Sequence, residues 1–490
     1  MTTIMSSDRT EALAPRMYVA FLNPQGNFDR HDSYLTEHPD FGGQLVYVKE
    51  LALALARRGV RVDILTRRIE DPQWPGFSES LDDFGELADQ VRIVRLSFGG
   101  PAFLNKESLW PHLGEYVDRI VEFYRTGGSP DYLSAHYADG AAAAVMLRQR
   151  TGTGFTLTSH SLGAQKMDKL GVSRSNYQQM ERRFHFSQRL AAERAGMRWA
   201  DTIITSTDEE RFKQYAHLLY RNAVDPLDDE RFRVIAPGIN QRIFNQDRAS
   251  DDEAEIDQVA RQLPYADQPH IVVSSRLDAK KNIAGVVQGF CRSEQLNQQA
   301  RLALFTRGTN NPWRDLNRFR EAERAVLEPI LKTIEDSDQR ERVHFVDIGS
   351  QRQLACAYRL LARSGSVFAL PSLFEPFGLA PIEAAACGLA VAATRNGGPS
   401  EIFRQGSGEL FDPADPDSIA RALNSALHHR DQLVGRANQT VVSRYTWEST
   451  ASGYLETMQA NLAMPRRQPL EDSDPAAERE RLIEQYLNEI

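Results

Sequence analysis

"GGQLVYVKELALALARRGVRVDILTR", residues 42–67, changes its hydrophobic period part-way along. Up to Arg58 the apolar residues Leu45, Val48, Leu51 and Leu55 recur at helical spacing, and Gly59 is a C-terminal stop. From Val60 the run "VRVDILTR" is short, apolar and rich in β-branched residues, so it reads as a strand. Upstream, "MYVAFLN" (17–23) reads as a buried strand ended by Pro24-Gln25-Gly26. Strand, helix and strand in that order make the unit of a parallel sheet covered by helices.

The alternation continues through "VRIVRLSF", a helix near 108–125, "PDYLSAHY", a helix near 139–150 and "GFTLTSHS". A long helical stretch near 175–199 follows, then "DTIITST", another helix and "RFRVIAPG". After residue 240 it restarts with "HIVVSSR", a helix near 282–293, "RLALFTRG", a helix near 315–335, "RVHFVDI", "SVFALPS" and "LAVAATR". The expected class is α/β, with two Rossmann-like domains whose parallel sheets face an interdomain cleft, where the carboxyl ends of strands place ligands. The expected boundaries are a flexible N-terminus at 1–15, an N-terminal domain at 16–238 and a C-terminal domain at 239–445. Residues 446–490 are expected to form a helical segment and polar tail returning to the N-terminal domain. Leu482, Ile483, Tyr486 and Leu487 share one side of the last helix, and docking or fraying both fit.

At 490 residues the chain exceeds one ordinary core. With 41% hydrophobic and 26% charged residues and a net charge of −9, it offers no basic field for nucleic acid or an anionic membrane. The three cysteines, Cys291, Cys356 and Cys387, are far apart and lack CxxC spacing, against a disulfide framework or a zinc site. Cys387, among alanines, reads as a small buried apolar residue. The first residues lack the apolar core of a secretory signal, and runs such as "AAAAVML" fall short of a bilayer span, so the expected location is the cytoplasm. No metal site is expected: the acidic pairs at 228–230, 251–253, 336–338 and 472–474 lie in polar stretches and are read as facing solvent. No cofactor is expected either. GxGxxG and GxxxxGK[ST] are absent, which disfavours nicotinamide, flavin and P-loop enzymes, and no GxSxG elbow supports a hydrolase.

The chemistry concentrates at a few places. In "LFEPFGLAPIEAAACG" (373–388), Glu375 and Glu383 stand eight positions apart. Eight helical residues span about 12 Å, but Pro376, Gly378 and Pro381 put Glu375 on a loop and Glu383 in the first turn of a helix. Two acids at different heights suit an extended polar ligand; a capping glutamate and an unrelated loop acid is the alternative. Gly42-Gly43-Gln44 precedes a helix whose N-terminus presents unpaired N–H groups, unless the glycines only make a turn. Arg276 and Lys281 follow the strand "HIVVSSR" and suit a diphosphate gaining charge as a bond breaks, against the alternative of solvated surface. His160 ends "GFTLTSH" and fits either a ligand or a structural histidine. Lys166 from one stretch, with Arg189 and Arg194 from the helical "RRFHFSQRLAAER", suits a phosphate clamp or plain surface ion pairs.

Together these residues resemble the retaining GT-B glycosyltransferases of the sucrose-phosphate synthase and sucrose synthase group, over most of residues 17–460. The resemblance rests on "FGGQLVYVKELALAL", "TRRI", "HYADG", "SHSLGAQK", "SSRLDAKKN", "EPFGLAPIEAAACG" and "TRNGGPSEI" in that order; "HSLGAQK" with "FGGQLVYVKE" is more similar to sucrose-phosphate synthase. It implies a GT-B fold with an N-terminal acceptor domain and a C-terminal nucleotide-sugar donor domain. It implies transfer of glucose from UDP-glucose to the 2-hydroxyl of fructose 6-phosphate with retention of configuration. By the same resemblance Glu375, Phe377, Gly378 and Leu379 hold the donor sugar and Glu383 the ribose. Arg276 and Lys281 grip the diphosphate, and His160 bonds the transferring sugar. Gly43 and Gln44 lie against donor and acceptor, and Tyr137, Lys166, Arg189 and Lys106 take the acceptor. His160, Arg276, Lys281 and Glu375 are the implied catalytic group.

Attack from the face of the leaving group is what the resemblance implies; a carboxylate nucleophile is the alternative. The chain resembles only the synthase core of longer plant enzymes and shows no DxDxT-type motif after it, so a separate sucrose-phosphate phosphatase is the expected downstream partner. Gln188 stands where some relatives carry a second arginine. Mannosylfructose-phosphate synthase, sucrose synthase and a non-catalytic sugar-nucleotide sensor are the rival readings. Oligomeric state is left open.

Overall fold

The computed structural model describes residues 17–30, 34, 40–85, 87–247, 252–466, 468 and 474–489. They form two compact units. One comprises the described residues of Met1–Thr205, Arg211–Arg233 and Ala451–Ile490; the other those of Ser206–Glu210 and Val234–Thr450.

In the first unit the strands are β1 (Tyr18–Leu22), β2 (Arg61–Arg67), β3 (Leu81–Asp82), β4 (Val91–Leu96), β5 (Tyr132–His136), β6 (Phe155–Thr158), β7 (Thr202–Thr205) and β8 (Phe232–Val234). They lie in the order β3-β4-β2-β1-β5-β6-β7-β8. β3 pairs antiparallel with β4, whereas the β1–β2, β2–β4, β1–β5, β5–β6 and β6–β7 pairs are parallel. The helices are α1 (Gly43–Arg57), α2 (Leu113–Tyr124), α3 (Tyr137–Thr151), α4 (Gly163–Lys169), α5 (Tyr177–Phe184) and α6 (Phe186–Trp199). Leu45, Val48, Leu51 and Leu55 of α1 are all buried, and Gly59, at φ +85°, turns the chain into β2. β1 is buried on both faces, as a parallel strand covered on two sides must be. Two buried arginines pin loops at the strand ends. Arg67 donates to the carbonyls of Phe98, Gly100 and Ala102, and Arg95 to those of Phe28 and Glu79.

The second unit has α7 (Glu253–Ala260), β9 (His270–Ser274), α8 (Ile283–Arg292), α9 (Glu294–Gln299), β10 (Arg301–Thr306), α10 (Pro312–Asp315), α11 (Glu321–Asp336), β11 (Val343–Asp347), α12 (Gln351–Arg363) and β12 (Val367–Leu370). It continues with α13 (Leu379–Ala386), β13 (Ala390–Thr394), α14 (Pro399–Ile402), β14 (Glu409–Phe411), α15 (Pro416–His428) and α16 (Arg430–Arg444). The strand order is β11-β10-β9-β12-β13-β14, the doubly wound pattern, with its reversal between β9 and β12. In the first sheet the corresponding reversal lies between β1 and β5. The chain ends in α17 (Trp447–Ala463) and α18 (Pro475–Glu489).

Several expectations need correction. The long helix near 175–199 is two helices, because His185 adopts a left-handed φ of +49° and the Glu181 carboxylate accepts the Ser187 N–H at 3.0 Å, which starts α6 afresh. The helix near 315–335 begins only at Glu321, after α10 and a 3-10 turn. Asp252 does not face solvent: it is 3% exposed, and Arg359 donates to its Oδ2 at 2.8 Å. The pair at 472–474 lies partly outside the described residues. Cys387 is buried in the apolar core of the second unit, where burial pushes its thiol up to about 12. In the first unit α18 packs on α6, with Leu482, Ile483, Tyr486 and Leu487 in the core.

Candidate functional site

In the first unit the candidate residues gather where the sheet reverses, which is where a parallel sheet leaves an opening at its carboxyl edge. Asn23 and Gln25 follow β1, and Gln44 lies in the first turn of α1. Their amides form a chain: Gln25 Nε2 donates to Gln44 Oε1, and Gln44 Nε2 donates to Asn23 Oδ1 at 2.7 Å. Gln25 Oε1 is buried without a hydrogen bond among the described residues. Among the described residues no side chain caps the N-terminus of α1, and no acid stands in its first turn. Among the described residues a Cβ at Gly42 or Gly43 would meet nothing within 4 Å.

His160 follows β6 in a left-handed conformation, φ +55°. Its Nε2 lies 3.0 Å from His136 Nδ1, and His136 Nε2 lies 3.1 Å from Ser134 Oγ. The Tyr47 ring meets the His160 ring edge-on at 4.8 Å. Burial holds the His160 imidazole down at about 3, so at neutral pH it is an uncharged hydrogen-bonding group.

Lys166 on α4, Arg189 on α6 and Lys106 in a 3-10 turn form the cationic part of the site. Lys166 Nζ lies 3.6 Å from Glu107 and 3.9 Å from the centre of the Phe184 ring. Burial, and then the charge of Arg189, lower its ammonium to about 8. Arg189 stacks on Tyr137 at 4.8 Å and donates to Ser161 O at 2.6 Å. Tyr137, at φ +70°, opens α3. Lys106 Nζ pairs with Asp40 at 2.9 Å. Arg194 does not join them. It points about 140° round the helix, is 1% exposed, and donates to Leu219 O at 2.8 Å and to Glu478.

In the second unit the loops after β9 and β12, the two strands flanking the reversal, carry the candidates. Lys281 Nζ lies 2.6 Å from Glu375 Oε2, which also accepts from Ser372 Oγ at 3.0 Å. Leu373 N donates to Lys280 O at 2.9 Å, tying the two loops by their backbones. Arg276 is exposed beyond β9 and makes no hydrogen bond with its side chain among the described residues. Phe377 is 7% exposed and packs on Tyr445, and Gly378 takes φ +103° to start α13 at Leu379. Glu383 is therefore in the second turn of α13, not the first, because the helix begins two residues before Pro381. Gly397 and Gly398 press against this loop. A Cβ at Gly397, itself at φ +97°, would stand 2.1 Å from Glu375 O, and one at Gly398 2.4 Å from Phe377 O. The "NGG" of the sequence is thus the wall that shapes the glutamate loop.

Sequence reasoning passed over Glu193, His136, Ser372 and Asp139. Glu193 stands four residues after Arg189, the spacing of a helical ion pair, and that signal was available. His136 and Asp139 flank Tyr137 in "HYADG". Asp139 is 3% exposed, its Oδ2 has no hydrogen bond among the described residues, and burial lifts its carboxyl to about 7. Among the described residues no group of three or more His, Cys, Asp or Glu is placed to hold a metal ion, and no helix is long and apolar enough to cross a membrane.

Comparison with known sequences matches "Glycosyl transferase 4-like domain" over 42–238 and "Glycosyl transferases group 1" over 255–440. A "Probable sucrose-phosphate synthase" of Thermosipho melanesiensis is 42% identical over 92% of this chain and 98% of its own. The "Probable sucrose-phosphate synthase 1" of Craterostigma plantagineum is 30% identical over 90% of this chain and 47% of its own, so the chain spans about half the length of that plant relative. Among solved structures, the sucrose-phosphate synthase from Thermosynechococcus elongatus superposes with a TM-score of 0.69 at 25% identity, covering 91% of this chain and 100% of that one. Anabaena HepE in complex with UDP and glucose shares the fold, with a TM-score of 0.61 at 16% identity over 91% of this chain and 100% of its own. Identity at this level along nearly the whole of both chains places the protein in the sucrose-phosphate synthase family of GT-B glycosyltransferases.

Proposed function

We propose that this protein transfers glucose from UDP-glucose to the 2-hydroxyl of fructose 6-phosphate, with retention, releasing sucrose 6-phosphate and UDP. The observation that carries the reading is the gathering of Lys166 and Lys106 near Arg189, which stacks on Tyr137 in the first unit, a cationic site suited to a sugar phosphate, in a chain of this family. In the second unit Arg276 and Lys281 face the donor diphosphate in this reading. As the glycosidic bond stretches, negative charge grows on the diphosphate and positive charge on the sugar; the two cations stabilise the first. Glu375 holds donor hydroxyls and fixes Lys281, and Glu383 takes the ribose. Neutral His160 hydrogen-bonds the transferring sugar. The acceptor hydroxyl attacks from the face the diphosphate leaves, and its proton passes to the departing phosphate. No cofactor enters this scheme. A phosphatase acting on sucrose 6-phosphate is the class of enzyme that consumes the product.

The test crosses UDP-, ADP- and GDP-hexoses with fructose 6-phosphate and with fructose, and identifies products. The expected result is sucrose 6-phosphate from UDP-glucose and the phosphorylated acceptor only. Equal use of free fructose would remove the phosphate clamp, and a preferred GDP-mannose would move the activity to mannosylfructose phosphate.

A further inference from the structure

Glu193 is 1% exposed and lies one helical turn beyond Arg189 on α6. Its Oε1 accepts from Arg189 Nε at 2.8 Å and from Gly163 N at 2.9 Å. Its Oε2 accepts from the same Gly163 N at 3.0 Å and from the Tyr220 hydroxyl at 2.5 Å. Tyr220 Oη in turn accepts from Ala164 N at 3.0 Å. The first two N–H groups of α4 are therefore bonded to protein. Arg189 is held on three sides: Nε on Glu193, Nη2 on Ser161 O at 2.6 Å, and one face on Tyr137. Its Nη1 makes no hydrogen bond among the described residues.

A free arginine side chain has many rotamers to lose when it grips an anion. One whose Nε and Nη2 are already bonded, and whose plane is stacked on a ring, has lost them on folding. Its remaining nitrogen points in one direction. The carboxylate that locks it also holds the start of the helix on which Lys166 lies, three residues after Gly163. We propose that Glu193 is a positioning residue of the acceptor site: it fixes the Arg189 guanidinium with Nη1 open and anchors α4, so that Arg189 and Lys166 meet the same phosphoryl group. This rests on the reading that these two cations bind the phosphate of the acceptor.

The experiment is steady-state kinetics of the full chain as Glu193→Gln, Arg189→Ala and the double variant. The amide keeps the shape but removes the charge facing the Arg189 guanidinium, and its one acceptor oxygen cannot serve Arg189 Nε, Gly163 N and the Tyr220 hydroxyl together. Glu193→Gln is expected to raise KM for fructose 6-phosphate about tenfold, as loss of a supporting contact does, with kcat and KM for UDP-glucose within about threefold. In the Arg189→Ala background the same change is expected to add less than about twofold, because the partner it positions is gone. Equal rises in both KM values, or effects that multiply in the double variant, would reduce Glu193 to a structural role and overturn the proposal. If Arg189→Ala itself leaves the acceptor KM unchanged, the phosphate reading fails and the proposal with it. If Arg189→Ala raises it and Glu193→Gln does not, only the positioning role fails. Tyr220→Phe removes one bond to the same carboxylate and carries the test if Glu193→Gln does not fold: a rise of about threefold in the acceptor KM is expected, and no change overturns the proposal.

Discussion

Lys281 and Glu375 come from loops 94 positions apart and meet at 2.6 Å with side chains 20% and 15% exposed. Taking such a pair out of water is costly, and in the proposed reaction Lys281 meets the donor diphosphate. Lys281→Ala should lower kcat about 100-fold or more while circular dichroism and Tm stay close to those of the parent; a kcat within threefold would remove Lys281 from the leaving group. Lys166 offers a pH test. Its ammonium is lowered to about 8 by burial and by Arg189, so the free enzyme loses this cation as pH rises through 8. Then kcat/KM for fructose 6-phosphate should fall on the alkaline side with a midpoint near 8, while KM for UDP-glucose stays level. Lys166→Arg should move that limb upward; a limb that does not move would assign it elsewhere.

At the scale of elements, a short loop and a distant helix do the positioning. Residues 372–378 are shaped from outside by Gly397 and Gly398, whose absent side chains let the backbones touch. Gly397→Ala brings a methyl group to 2.1 Å from Glu375 O at a left-handed φ, so the loop must shift. The expected outcome is a loss of transfer comparable to that of Glu375→Ala with the fold retained; normal activity would show that the loop geometry is not needed. Helix α18 plays the other part. Leu482 is fully buried, Tyr486 donates to Asp168 on α4 at 2.8 Å, and Glu478 takes Arg198 at 2.7 Å together with Arg194. Leu482→Ala should cost about 2–4 kcal/mol, read as a Tm lowered by several degrees, whereas Leu462→Ala, at a 42% exposed position, should change little. Equal effects would mean that α18 does not dock in solution.

Each unit has its own apolar clusters among the described residues, and each candidate set belongs to one unit. Ligands should therefore protect them separately. In hydrogen exchange, UDP should slow the amides of 274–281 and 373–386, and fructose 6-phosphate those of 158–170 and 186–190; the opposite assignment would exchange the roles of the units. The α/β class was readable from residues 42–67 onward, because a buried parallel strand and an amphipathic helix each declare themselves within about ten residues through local periodicity. The charged candidates were readable too, Arg276, Lys281 and Lys166 in short motifs after strands and Arg189 on a helix. What depended on tertiary structure was which of them meet. Arg189 and Arg194 look alike in the chain, five residues apart, yet only Arg189 stacks on Tyr137, while Arg194 is sealed by a carboxylate 284 positions away. His185 broke a helix that periodicity made continuous, and Asp252 turned inward to Arg359. Periodicity is a property of neighbours along the chain, whereas a buried charge is assigned its partner by contacts that close only when the sheet is built.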